Sequence, residues 1–130
     1  MNQDDRKELI FYRITKAKEI FAEIDLHLKN ELWNTAVNRL YYACFYAVSA
    51  LLLKNNISAK THAGARLMLG MHFIKTGIIS KEFGKFYSDL FDLRQTGDYE
   101  DFKDNKKEDV IDLIEPAKKL ISEIEKLIVK

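Results

Sequence analysis

Two short clusters hold the residues best suited to chemistry, Asn38-Arg39-Leu40-Tyr41-Tyr42-Ala43 and Leu93-Arg94-Gln95-Thr96-Gly97-Asp98-Tyr99. Each sets an arginine among tyrosines. Arg39 is the only charged side chain between Leu32 and Leu53. A guanidinium keeps its proton inside a protein, so a buried one needs a carboxylate, an aromatic face or an anionic ligand. The pattern therefore predicts a buried, paired Arg39, with Asp98 or Tyr99 within hydrogen-bonding reach. Arg39 with Tyr41, Tyr42 and Tyr46 could also offer stacking surface to bases and charge to a phosphate. Arg94 reads in two ways: a helix-end salt bridge to Asp98, or an anion site shared with Tyr99.

Two histidines come next. His62 stands beside Thr61 and Gly64 at a helix start, where free backbone N–H groups could meet a phosphate or hold the ring itself. His72, within Met71-His72-Phe73-Ile74, reads as a packed side chain. They are ten residues apart with no cysteine near, so neither a metal site nor a cofactor is expected. The candidate nucleotide- or anion-binding residues are Arg39, Tyr42, His62, Arg94, Asp98 and Tyr99. No residue is assigned a catalytic role.

With the segment between them, the two clusters resemble the HEPN family (higher eukaryotes and prokaryotes nucleotide-binding domain). The matching pieces are Asn38 to Ala43 with Phe45, Lys60-Thr61-His62-Ala63-Gly64, His72-Phe73-Ile74-Lys75-Thr76-Gly77, and Arg94 with Asp98-Tyr99. They occur in order between about Trp33 and Phe102. Active members of that family are metal-independent ribonucleases with an arginine followed four to six positions later by a histidine. Here those positions hold Asp98, Tyr99 and Glu100, with no histidine, so the isolated protein is expected to cleave RNA poorly or not at all, His62 supplying a proton shuttle only if the fold brings it beside Arg94. A tyrosine, with a pKa near 10, is a poor base at neutral pH.

The resemblance implies a regulatory or toxin-like partner of a minimal nucleotidyltransferase, and a homodimer with its arginine motifs facing each other. In some such pairs a tyrosine near the motif is modified with nucleotide, and Tyr99 best matches that position. The alternatives are a catalytically inactive nucleotide- or RNA-binding dimer, a degenerate metal-independent ribonuclease, or a structural dimeric adaptor.

The chain has 130 residues, the size of one domain, spanning 1–130. Its 21 lysines and arginines nearly balance 20 aspartates and glutamates. Residues 54–85 hold six bases and one acid, whereas 86–130 hold eight bases and twelve acids. The basic middle either attracts phosphates or forms a solvated helix face. The lone Cys44, among aromatic neighbours, reads as an inert buried thiol. The polar N-terminus and an apolar run of only fourteen residues, Leu40 to Leu53, predict a cytoplasmic protein with no membrane span.

Helical spacing runs through the whole chain, and one proline with five glycines leaves few breaks. Ile10, Ile14, Ala17, Phe21, Ile24 and Leu28 form one stripe; Trp33, Val37, Leu40, Cys44, Ala47 and Leu51 form another. Asn30 is the expected cap of the second helix, Thr61 of the third and Ser80 of the fourth, which Gly97 would end. Asn105 with Glu108 would open a fifth helix, kinked near Pro116. The expectation is all-α: an up-and-down bundle of four long helices plus one shorter, with Trp33, Val37, Leu40, Ala47, Phe86, Leu90, Leu113 and Leu120 in its core. The second helix is apolar nearly all round, so part of it, at Tyr41, Phe45 and Tyr46, is expected at a subunit interface.

Overall fold

The computed structural model describes residues 1–99 and 104–129, with the backbone alone described for 96–99. Six α-helices follow in order: α1 (Gln3–Ala22), α2 (Ile24–Lys29), α3 (Trp33–Lys54), α4 (His62–Leu69), α5 (Lys81–Tyr99) and α6 (Lys107–Ile128). A π-helical segment, Gly70–Ile74, follows α4 directly. No strand occurs among the described residues. The four long helices of the expected all-α bundle are α1, α3, α5 and α6, while the single shorter one becomes two. The first apolar stripe does continue to Leu28, but the backbone breaks at Glu23, whose N–H turns back to the carbonyls of Ile20 and Phe21.

The 22-residue α3 is the axis of the fold. By length and composition it is apolar enough to cross a membrane, longer than the fourteen-residue run suggests. Here α1, α5 and α6 pack round it, and eleven of its residues are buried. Two long side chains fix the direction of α1: Arg6 donates to the carbonyl of Leu53 at 3.1 Å and Arg13 to that of Ser49 at 3.4 Å. Low numbers meeting high ones make the pair antiparallel. At the other end of α3, Asn34 works as a clamp. Its Oδ1 accepts from the Asn105 N–H at 2.7 Å and its Nδ2 donates to Asp104 at 3.1 Å, which sets the start of α6 beside the start of α3.

Thr61 and Ser80 cap as expected, their hydroxyls accepting from the N–H groups of Gly64 at 2.8 Å and Phe83 at 3.2 Å. Three other expected boundaries are corrected. Asn30 closes α2, its side chain donating to Leu26, and Leu32 occupies the cap of α3. Lys106, not Asn105, precedes α6, and its N–H is held by the Asp109 carboxylate at 2.7 Å. Gly97 does not stop α5, which continues to Tyr99. A glycine costs an interior helix position only about 1 kcal/mol, too little to end a helix packed against a core. After α4 the ladder widens: Lys75 N–H bonds back five residues to Gly70 at 2.9 Å, and Gly77 at φ 81° turns the chain toward α5.

Val37, Leu40, Ala47, Leu90 and Leu120 lie in the core, with Trp33, Phe86 and Leu113 half-buried against it. Cys44 is wholly buried, and burial pushes its thiol up to about 12. Leu40 is 0% exposed at the centre of α3. Leu40→Ala should therefore cost about 2–5 kcal/mol of stability in urea denaturation. An unchanged midpoint would place Leu40 outside the core.

Candidate functional site

Tyr41 is 0% exposed, and its ring is the point at which α3, α4 and α5 meet. Phe45, Tyr87, Phe91 and Tyr42 surround it with centroids 6.0, 5.9, 5.8 and 5.4 Å away, in stacked or edge-on arrangements that suit ring quadrupoles. The Arg94 guanidinium lies 4.7 Å from the centroid of this ring. It is also 5.8 Å from Tyr42 and 5.9 Å from Phe91. From the start of α4, His62 brings Nδ1 to within 2.8 Å of the Tyr41 hydroxyl. One buried phenol thus touches a cation on its face and an imidazole at its tip.

The expected burial of Arg39 is corrected by this arrangement. Arg94, at 7% exposure, is the buried arginine. Arg39 is half-buried, and its guanidinium lies 5.8 Å from the ring of Tyr42, three residues on. A long side chain can lay its stem and its charge along a neighbouring ring and still reach water, so Arg39 escapes the burial its uncharged surroundings suggested. The expected contacts of Arg39 with Asp98 and Tyr99, and the anion roles of those two, fall outside the described side chains.

His62 was expected to meet backbone or phosphate at a helix start. It is the first residue of α4, but its ring turns inward over Phe45, 4.2 Å away, and stands edge-on to Tyr42 at 5.6 Å. Its Nε2 makes no hydrogen bond with a described residue and is not buried. Across the same rings, His62 is close enough to Arg94 for that charge to act on it. His72 goes the other way. It is exposed, because Phe73 takes the buried position of the π segment.

Burial among the rings lowers the His62 pKa from its ordinary 6.5, and the positive charge of Arg94 lowers it further. Burial raises the Tyr41 pKa, with the Tyr87 hydroxyl and then the Arg94 charge opposing, so the phenol stays protonated and acts as a neutral dipole. Three residues here escaped the sequence reading as site residues. Tyr87 stacks on Tyr41 from below. Phe91 carries the Arg66 guanidinium 4.3 Å from its centroid, and Arg66 also pairs with Asp92 at 3.3 Å. The visible signal for them was the aromatic spacing of α5 and the basic middle of the chain. Beyond Phe45 a cleft of about 250 Å³ opens, lined by Arg13, Phe45, Ser49, Lys60 and Ala65 among others. Among the described residues, no group of three His, Cys, Asp or Glu could hold a metal ion.

A profile of the HEPN domain matches residues 11–127. A Thermotoga maritima chain named UPF0332 protein is 42% identical over 125 residues, covering 96% of this chain and 95% of that one. Two Methanocaldococcus jannaschii proteins, provisionally named toxin MJ0605 and toxin MJ0142, are each 35% identical. They match over 108 and 96 residues, covering 83% and 74% of this chain and 80% and 65% of their own lengths. The chain is thus similar to small proteins named as toxins.

The electrostatics of His62 can be read directly. A proton NMR titration should place its midpoint below 6.5, and Arg94→Met should raise it. Between the unfolded value near 6.5 and the lower folded value, the unfolded chain binds more protons. The contribution of His62 to stability is therefore complete above the unfolded value and is lost as pH falls through this window. A midpoint at or above 6.5 would contradict the geometry.

Proposed function

Because the chain belongs to the HEPN domain family, we propose that it is a toxin-like HEPN module that takes RNA or a nucleotide on the Tyr42 face of α3. One observation carries the reading. Arg39 and Arg94 each lie 5.8 Å from the Tyr42 ring, and His62 stands 5.6 Å away at its edge. An aromatic ring bordered by cations from two helices suits a base stacked on the ring and a phosphate held at its rim. The half-buried Arg39 is the group placed to reach that phosphate, while the buried Arg94 sets the local field.

The names of the two archaeal relatives support the toxin-like part of the reading. A minimal nucleotidyltransferase is the partner proposed to hold the module in check, as the family resemblance implies. The chain is proposed to act as a two-fold dimer, the commonest assembly, through α3 and the end of α5. Phe45 and Tyr46 are half-buried and would contribute to that interface, whereas the wholly buried Tyr41 would not. Sedimentation of the purified chain at tens of micromolar reads the dimer directly.

The test of the reading is fluorescence anisotropy with a labelled single-stranded RNA across a salt series. Tyr42→Ala should lose the stacking contribution, about 1–3 kcal/mol. Arg39→Ala should reduce the dependence of log K on log salt by about 0.7, the contribution of one phosphate contact on a single strand. Binding indifferent to both substitutions would remove this face from the function.

A further inference from the structure

We propose that the cleft between α1, α3 and the loop joining α3 to α4 binds a small organic carboxylate, with its charge on Arg13 and its apolar body on Phe45 and Leu52. Neither Tyr42 nor His62 lines this cleft, so the site stands apart from the RNA reading.

Charge is the first ground. The lining carries two cations, Arg13 and Lys60, and no aspartate or glutamate. Arg13 is half-buried, and its one hydrogen bond among the described residues is a long one, from Nη1 to the Ser49 carbonyl at 3.4 Å. It forms no ion pair with a described residue. A guanidinium holds its donors in a rigid planar fork, and most of that fork is left for another acceptor. Ser58 and Lys60 line the cleft from the loop, and their backbone N–H groups make no hydrogen bond with a described residue. Donors from a helix and a loop thus gather at one cleft whose lining offers no opposite charge. An anion completes such a set.

Size and polarity narrow the anion to a class. The cleft holds about 250 Å³, less than the roughly 300–1,000 Å³ that encloses a drug-sized ligand, so its occupant is smaller. Much of the wall is apolar, built by Phe45, Leu52 and Ile57. Inorganic phosphate would leave that wall uncovered and set a strongly hydrated ion against hydrocarbon, at a large desolvation cost. A carboxylate instead presents two coplanar oxygens that match the guanidinium fork, while an alkyl or aryl body covers the wall. Lys60 is exposed, so it draws the anion in more than it holds it. Phe45 also lies 4.2 Å from the His62 ring, which makes the imidazole a reporter of an occupied cleft.

The experiment is a two-dimensional amide NMR titration of the purified full chain with benzoate, beside benzyl alcohol and inorganic phosphate. Benzoate should saturate and move the amide signals of Ser49, Ser58 and Lys60 together with the ring signals of His62. Benzyl alcohol lacks the charge and phosphate lacks the body, so each should bind about tenfold more weakly or less. Arg13→Met should weaken benzoate by about tenfold or more, the loss expected of a charge-assisted hydrogen bond. Arg13→Lys keeps the charge without the fork and should fall between. Lys60→Gln should cost no more than about fivefold. Should Arg13→Met not fold, Ser58→Leu on the exposed loop decides, since it crowds the cleft and should abolish the benzoate shifts. Benzoate that produces no saturable shift at these residues overturns the proposal, as does full benzoate affinity in Arg13→Met or Ser58→Leu. Benzyl alcohol binding as tightly would leave a plain apolar crevice, and phosphate binding as tightly a bare anion site; either result overturns it too.

Discussion

The contact on which the rest of the molecule turns is the one between the Tyr41 hydroxyl and Nδ1 of His62. A phenol that is 0% exposed cannot leave its hydroxyl unpaired without paying a desolvation penalty of about 1–3 kcal/mol. It finds a partner across a loop, at the first residue of α4. Meeting it pulls the start of α4 against α3 and closes the ring cluster that Arg94 covers from α5. Thr61 makes this possible by capping α4 one residue earlier, so that the helix begins where the imidazole is needed. Three helices are therefore registered on one side chain, and the site exists because the packing requires it.

That requirement explains how a buried arginine is tolerated. Arg94 is surrounded by the faces of Tyr41, Tyr42 and Phe91, whose π-electrons take part of the place of water. Its charge acts in turn on the titrating groups nearby, disfavouring a second positive charge on His62 and easing the cost of negative charge on Tyr41. Packing and electrostatics here are two descriptions of one cluster. A change that loosens the rings also changes how the imidazole titrates.

Much of the fold was legible because helical spacing is a local property. The stripes of α1, α3, α5 and α6, the caps at Thr61 and Ser80, and the HEPN resemblance all depend on residues close together in the chain. The boundaries that misled were settled by distant partners. Asn30 lost the cap of α3 to Leu32, and Asn105 was drawn away from the start of α6 by the Asn34 side chain, seventy-one residues earlier. The site was half legible for the same reason. Arg39, Tyr42, His62 and Arg94 stand out by type, but no spacing could say that Arg94 would be buried in place of Arg39. Nor could it place His62 beside the arginine whose own helix lacks a histidine. Tyr87 and Phe91 carried no mark beyond ordinary core aromatics.

The central claim is that Tyr41 and His62 act as one unit, and a double-mutant cycle on folding stability addresses it most directly. Tyr41→Phe, His62→Ala and the double variant would be unfolded in urea beside the wild type. Residues in one hydrogen-bonded network show coupling of about 0.5–3 kcal/mol, so the double variant should lose less than the two single losses together. Strictly additive losses would mean that the phenol and the imidazole are merely neighbours, and the account of the site would fail.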